Sequence, residues 1–191
     1  MRPEIGAAGG VLLTPGAGSD RTHHTLVALE EALGPLPVTR VDFPYRKEGR
    51  KAPDRAPKLI ASLFSDADTF CRRAGVALQR LVLGGRSMGG RMCSMAVAEG
   101  LPAAGLVLLS YPLHPPGKPE RLRTEHFPDI EVPCLFVGGD RDPFGTPEEL
   151  EAATAAIAGP VTHHWIAGGR HDVKGADDEI CAVVDAWVKA L

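Results

Sequence analysis

Six short apolar runs, Gly10–Thr14, Val38–Phe43, Leu81–Gly84, Leu106–Ser110, Cys134–Gly138 and Val161–Ile166, recur along this chain with longer amphipathic stretches between them. Most are continuously apolar rather than alternating. That is the pattern of strands covered on both faces, hence of a parallel sheet. The stretches between them read as helices. Asp20–Leu33 has Ser19 or Asp20 as its N-cap and Gly34-Pro35 as its stop. Ala56–Arg73 carries Leu59, Ile60, Leu63 and Phe70 at helical spacing and ends at Gly75. Met88–Glu99 ends at Gly100. Pro147–Ile157 follows Thr146 and has Glu148 and Glu149 in its first turn, and Ala176–Ala190 is the last helix. The repeated β-α order predicts an α/β fold with a doubly wound, mostly parallel sheet of about six strands and helices on both faces.

A chain of 191 residues suits one domain, here residues 1–191, with a sizeable core. The formal net charge of -3 supplies no electrostatic footprint for nucleic acid or an anionic membrane. Met1–Gly10 lacks the apolar core of a signal peptide, and no apolar stretch is long enough to span a bilayer, so a cytoplasmic location is expected. Cys71, Cys93, Cys134 and Cys181 lie singly within apolar-periodic segments, as reduced and mostly buried thiols do. The residues imply no metal site and no cofactor, and they carry no signature of oligomeric state.

The chemistry is concentrated in Gly85-Arg86-Ser87-Met88-Gly89, which joins the third predicted strand to the helix after it. A serine on so sharp a turn presents its hydroxyl at the carboxyl end of the sheet, and the flanking glycines avoid collisions with the neighbouring strand and helix. A nucleophilic serine needs a base, the base an orienting acid, and the oxyanion fixed N–H donors. After the strand Cys134–Gly138 comes Gly139-Asp140-Arg141-Asp142-Pro143; Asp142 is the favoured acid and Asp140 the alternative. After the last strand comes Gly168-Gly169-Arg170-His171, and of seven histidines only His171 satisfies both chain order and position. His163 and His164 lie within a strand, one directed to each face. His23 and His24 open the first helix, and His114 and His126 lie in the irregular segment Tyr111–Val132. The oxyanion donors are expected from Met88 and from the turn after the first strand, where Gly16 and Ala17 compete and Ala17 is preferred.

That turn, Gly16-Ala17-Gly18, also has the look of a dinucleotide fingerprint, with Asp42 placed like a ribose-binding acid. Arg21 stands where the third glycine belongs, however, and the nucleotide reading leaves Ser87, Asp142 and His171 without a role.

Taken together, these residues resemble the α/β-hydrolase superfamily. More narrowly, the runs Gly84-Gly85-Arg86-Ser87-Met88-Gly89-Gly90-Arg91, Ser110-Tyr111-Pro112-Leu113-His114-Pro115-Pro116-Gly117-Lys118, Leu122-Arg123-Thr124-Glu125-His126 and Arg141-Asp142-Pro143-Phe144-Gly145-Thr146-Pro147 resemble a small bacterial hydrolase-like family. It is related to dienelactone hydrolases and to eukaryotic proteins that include regulatory and scaffold members. The resemblance implies a triad of Ser87, Asp142 and His171, a minimal sheet lacking the two strands that usually begin the superfamily, and a pocket bordered by Tyr111 and His114. Dienelactone hydrolases proper carry cysteine at the position of Ser87, so that activity does not carry over. The expected function is a serine hydrolase acting on small ester or related acyl substrates in an uncapped site with Gly16 and Arg86 at its edge. The competing expectation is a regulatory or binding module that retains the fold. Arg86, Arg141 and Arg170 each neighbour a proposed catalytic residue, and pairing with local acids is favoured over attraction of a carboxylate-bearing substrate.

Overall fold

The computed structural model describes residues 7–191; Met1–Gly6, most of the segment read for a leader, lie outside the described residues. Six strands, β1 (Gly10–Thr14), β2 (Val38–Arg40), β3 (Leu81–Arg86), β4 (Gly105–Leu109), β5 (Cys134–Gly139) and β6 (Val161–Ile166), form one sheet in the order β2-β1-β3-β4-β5-β6. Every neighbouring pair is parallel. Six helices accompany them: α1 (His24–Ala32), α2 (Pro44–Lys47), α3 (Ala56–Ala74), α4 (Met88–Ala98), α5 (Pro147–Thr154) and α6 (Asp177–Lys189). Among the described residues no helix is long and apolar enough to cross a membrane.

The continuous apolar runs have the cause expected of them. Successive side chains of a strand point to opposite faces, and here both faces are covered. Leu12, Leu81, Leu83, Leu106, Leu108, Cys134 and Phe136 pack beneath α3, α4 and α5. The residues between them, Val11, Leu13, Val82, Val107, Leu109, Leu135 and Val137, pack beneath α1 and α6 with Leu26, Leu29, Ile180 and Val184. A polar residue at any of these strand positions would be buried on one side or the other.

The strand order reverses between β1 and β3. In open parallel sheets the loops at the carboxyl ends diverge there and leave a crevice. Both Gly16-Ala17 after β1 and Ser87 after β3 stand at that crevice.

Three predicted elements are shorter than expected, one of them the helix Pro147–Ile157, which ends at Thr154. The first helix begins at His24, not Asp20. The Asp20 carboxylate instead accepts the Thr22 N–H at 2.9 Å in a local turn, and His23 caps the helix by accepting the Thr25 N–H at 3.3 Å. The second strand ends at Arg40 rather than Phe43. Phe43 becomes the N-cap of α2, whose first residue, Pro44, cannot donate to a ladder. Asp42 accepts the Arg21 N–H at 2.7 Å, so the acid of the dinucleotide reading is occupied by the very residue that replaces its third glycine.

Candidate active site

Ser87 ends the path of β3 and caps α4 with φ 52° and ψ -119°. A left-handed backbone is costly for a serine and persists only where the surroundings over-determine it. They do so here. The Ser87 N–H donates to the Leu109 carbonyl at 2.8 Å, and its own carbonyl accepts the Arg91 N–H at 3.1 Å. The flanking glycines are required by close approach: a Cβ on Gly89 would lie 2.5 Å from the Pro15 carbonyl oxygen, and one on Gly85 would lie 2.6 Å from the Gly89 carbonyl carbon. The Ser87 hydroxyl makes no capping bond to α4. It is turned instead to His171, whose Nε2 lies 2.9 Å from Oγ.

His171 arrives on the loop after β6, which is fastened to the loop after β5. The Arg141 N–H donates to the Gly169 carbonyl at 2.8 Å and the Asp140 N–H to the Ile166 carbonyl at 3.2 Å. Within the β5 loop, the Asp142 N–H donates to Gly139 and the Gly145 N–H donates to Asp142, both at 3.3 Å. This turn leaves Asp140 exposed and carries Asp142 inward, where it is 7% exposed. Asp142 Oδ2 accepts from His171 Nδ1 at 2.8 Å, and Oδ1 accepts the Phe144 N–H at 2.9 Å. A carboxylate only accepts, so the imidazole proton belongs on Nδ1 and the Nε2 lone pair faces the Ser87 hydroxyl. Phe144 stacks on the ring at a centroid distance of 4.1 Å, and Arg86 Nη2 donates to the His171 carbonyl at 2.9 Å.

Ser87, Met88, Ala17, Arg86 and His171 line one cavity of about 390 Å³, completed by Arg91, Pro112, Arg123 and Phe144. Met88 is the first residue of α4, so its N–H has no acceptor within the helix. Gly16 is buried against the same turn, 3.5 Å from Ser87 Cβ to the place its own Cβ would take. Gly18, with φ 75°, is the residue of that loop whose backbone requires glycine.

Other expected site residues stand elsewhere. Tyr111 is buried against Phe127 and Phe136, with its hydroxyl donating to the Arg123 carbonyl at 2.8 Å. Burial raises that hydroxyl's pKa further above its ordinary value. His114 is buried against Glu149, 3.3 Å away, and the Pro115 carbonyl. Neither lines the Ser87 cavity, because the Pro-rich segment turns its apolar side chains down onto the sheet. Arg141 and Arg170 are exposed and also lie outside it. His163 and His164 do separate to opposite faces, one on Thr154 of α5 and the other on Glu179 of α6. Burial pushes the thiols of Cys93 and Cys134 up to about 12, which suits packing and not nucleophilic chemistry.

Sequence reasoning missed Arg91, Arg123, Pro112 and Phe144. Arg91 carried a legible signal, four residues after Ser87 and so on the same helix face. Phe144 and Arg123 stand in runs that carry the family resemblance, but nothing local directs their side chains to the cavity, since their approach to His171 and Ser87 depends on how the loops after β4 and β5 close.

A parallel six-stranded sheet with a strained serine at its switch point is the framework of the α/β hydrolases. Residues 7–183 match the alpha/beta hydrolase domain, and the chain belongs to that family. Its fold is shared with Est1E from Butyrivibrio proteoclasticus, 17% identical, at a TM-score of 0.74 over 95% of this chain and 87% of that one. The metagenome-derived lipolytic enzymes LipS and LipT match with 14% identity and a TM-score of 0.77, over 97% of this chain and 96% of that one. The type II thioesterase BorB from the borrelidin biosynthetic cluster matches with 21% identity and a TM-score of 0.69, over 96% of each chain.

Proposed function

We propose that this chain, acting as a single domain, is a serine hydrolase of small ester or related acyl substrates, thioesters included. The observation that carries the reading is the unbroken hydrogen-bonded series Ser87–His171–Asp142 at the sheet's switch point. Ser87 Oγ attacks the substrate carbonyl carbon while its proton passes to His171 Nε2. Asp142 stabilises the imidazolium through Nδ1. The negative charge that develops on the carbonyl oxygen is met by the Met88 N–H and, from the β1 loop beside Gly16, the Ala17 N–H. Collapse breaks the bond to the leaving group, which takes the proton from His171. Water then attacks the acyl-serine by the same route, and Ser87 recovers its proton. Arg86 holds the His171 loop through its carbonyl, and Phe144 fixes the ring plane.

Lipolytic and thioesterase activities among proteins of this fold support the reaction class, and ferulic acid bound to Est1E supports a small-molecule substrate. The narrower likeness to the small bacterial relatives of dienelactone hydrolases agrees in scale, with a serine where dienelactone hydrolases proper carry cysteine. The test is Ser87→Ala on a panel of esters, thioesters, lactones and amides. Turnover of whichever substrate the parent cleaves should fall at least on the order of 10³-fold; unchanged turnover refutes the reading.

A further inference from the structure

The cavity beside Ser87 is walled by three arginines that come from three different parts of the chain. Arg91 stands one helical turn beyond Ser87 on α4. Arg123 comes from the irregular segment after β4 and is held rigidly: its Nη1 donates to the Pro112 carbonyl at 3.2 Å, its N–H to the Leu113 carbonyl at 2.9 Å, and its carbonyl accepts the Tyr111 hydroxyl. Arg86 closes the other side and is committed to the His171 carbonyl.

Among the described residues the other half-buried arginines meet carboxylates, Arg40 with Glu30 and Arg46 with Asp20, and the remaining arginines without such a pair are exposed. Arg86, Arg91 and Arg123 form no such pair, although acids outnumber bases in the chain, 24 to 21. The Nε atoms of Arg86 and Arg91 are buried without a partner. Burial and then the charge of Arg91 hold the Arg123 guanidinium below its ordinary pKa, so the two cations feel each other across the cavity wall. Two neighbouring guanidinium groups with no carboxylate in ion-pair contact are an unfavourable arrangement, and a ligand carboxylate between them relieves it. Their planar donor forks fit a carboxylate in two-point contact. Both arginines also border an outer cleft of about 570 Å³, whose wall adds Arg121 and the carboxylates of Glu120 and Glu125, so a ligand group held by Arg91 and Arg123 sits where the Ser87 cavity opens outward.

We infer that Arg91 and Arg123 form an anion subsite, and that the substrate of this site is an acyl compound bearing a carboxylate. The inference rests on the hydrolase reading above and specifies its substrate class. The sequence favours pairing with local acids for Arg86, Arg141 and Arg170; Arg86 instead donates to the His171 carbonyl, Arg141 and Arg170 lie outside the cavity, and the cation role falls to two arginines that the fold brings to it.

Two matched pairs test it. In one the carboxylate lies on the acyl side, mono-para-nitrophenyl glutarate against para-nitrophenyl pentanoate. In the other it lies on the leaving group, para-acetoxybenzoate against para-acetoxybenzamide. The carboxylate member of at least one pair should have a kcat/KM about tenfold or more above its neutral partner. The ratio should shrink in Arg91→Gln and in Arg123→Gln and vanish in the double variant. Equal rates within both pairs, or a ratio that survives the double variant, overturn the subsite while leaving the hydrolase reading intact. Wild-type turnover in Ser87→Ala would instead overturn the hydrolase reading. A measurement independent of turnover uses the wild-type chain alone: saturating glutarate should raise its Tm by about 2 °C or more over glutaramide, and equal shifts contradict the subsite.

Discussion

Replacing Asp142 by asparagine preserves size and shape and changes one property, the direction of a hydrogen bond. Asp142 Oδ1 accepts the Phe144 N–H at 2.9 Å, and Oδ2 accepts from His171 Nδ1 at 2.8 Å. In Asp142→Asn the amide oxygen keeps the Phe144 bond, since turning it away would leave a buried N–H unsatisfied at a cost of about 1–3 kcal/mol. The amide nitrogen then faces His171 Nδ1 as a donor. That nitrogen must give up its proton, and the proton moves to Nε2, 2.9 Å from Ser87 Oγ. The lone pair that would accept the serine proton is gone. In serine triads the same exchange costs about 10⁴-fold in kcat, or roughly 5.5 kcal/mol of transition-state stabilisation. Asp140→Asn alters an exposed carboxylate, and its rate should stay within about twofold of the parent. Steady-state kinetics on one good ester substrate, with circular dichroism to establish that both variants are folded, gives the comparison. A large loss in Asp140→Asn with Asp142→Asn near wild type would refute the tautomer argument and pass the acid's role to Asp140.

Other consequences follow from packing and burial. Gly89→Ala should destabilise the chain by about 2–3 kcal/mol in urea denaturation. Its Cβ would lie 2.5 Å from the Pro15 carbonyl oxygen and 2.7 Å from the Thr14 carbonyl oxygen, backbone atoms that cannot turn aside; a loss below about 0.5 kcal/mol contradicts this. Burial, followed by the charge of Arg91, pushes the His126 imidazole down to about 4 from 6.5. As pH falls the unfolded chain therefore takes up a proton before the folded one does. Its contribution to stability is full above about pH 6.5 and is lost on descending to about pH 4, by about 1–2 kcal/mol once partial exposure is allowed for. Urea titrations across that window should show a flatter pH dependence in His126→Gln, and identical slopes would remove His126 as the cause.

The sheet was legible because its cause is local. A strand buried on both faces needs an unbroken apolar run, and Leu81–Leu83, Leu106–Leu109 and Cys134–Val137 announce themselves without reference to the rest of the chain. The order of Ser87, Asp142 and His171 was legible for a related reason, since each follows directly on a strand. The choice between Asp142 and Asp140 needed the turn after β5, which is held by bonds to the β6 loop as well as its own. The start of the first helix depended on a competition between Asp20 as helix cap and Asp20 as turn former, which propensity alone leaves open. Arg123 is the extreme case. It is brought to the cavity by Pro112, Leu113 and Tyr111, all buried for reasons unrelated to chemistry.

The central claim is that Ser87 is a nucleophile activated by His171. Incubating the folded protein with a neutral fluorophosphonate and locating the adduct by peptide mass spectrometry tests it without knowledge of the natural substrate. The account predicts a single adduct on Ser87, formed far more slowly in His171→Ala. An unlabelled Ser87 in folded protein, or labelling that is indifferent to His171, would contradict it and favour a binding module that keeps the hydrolase fold.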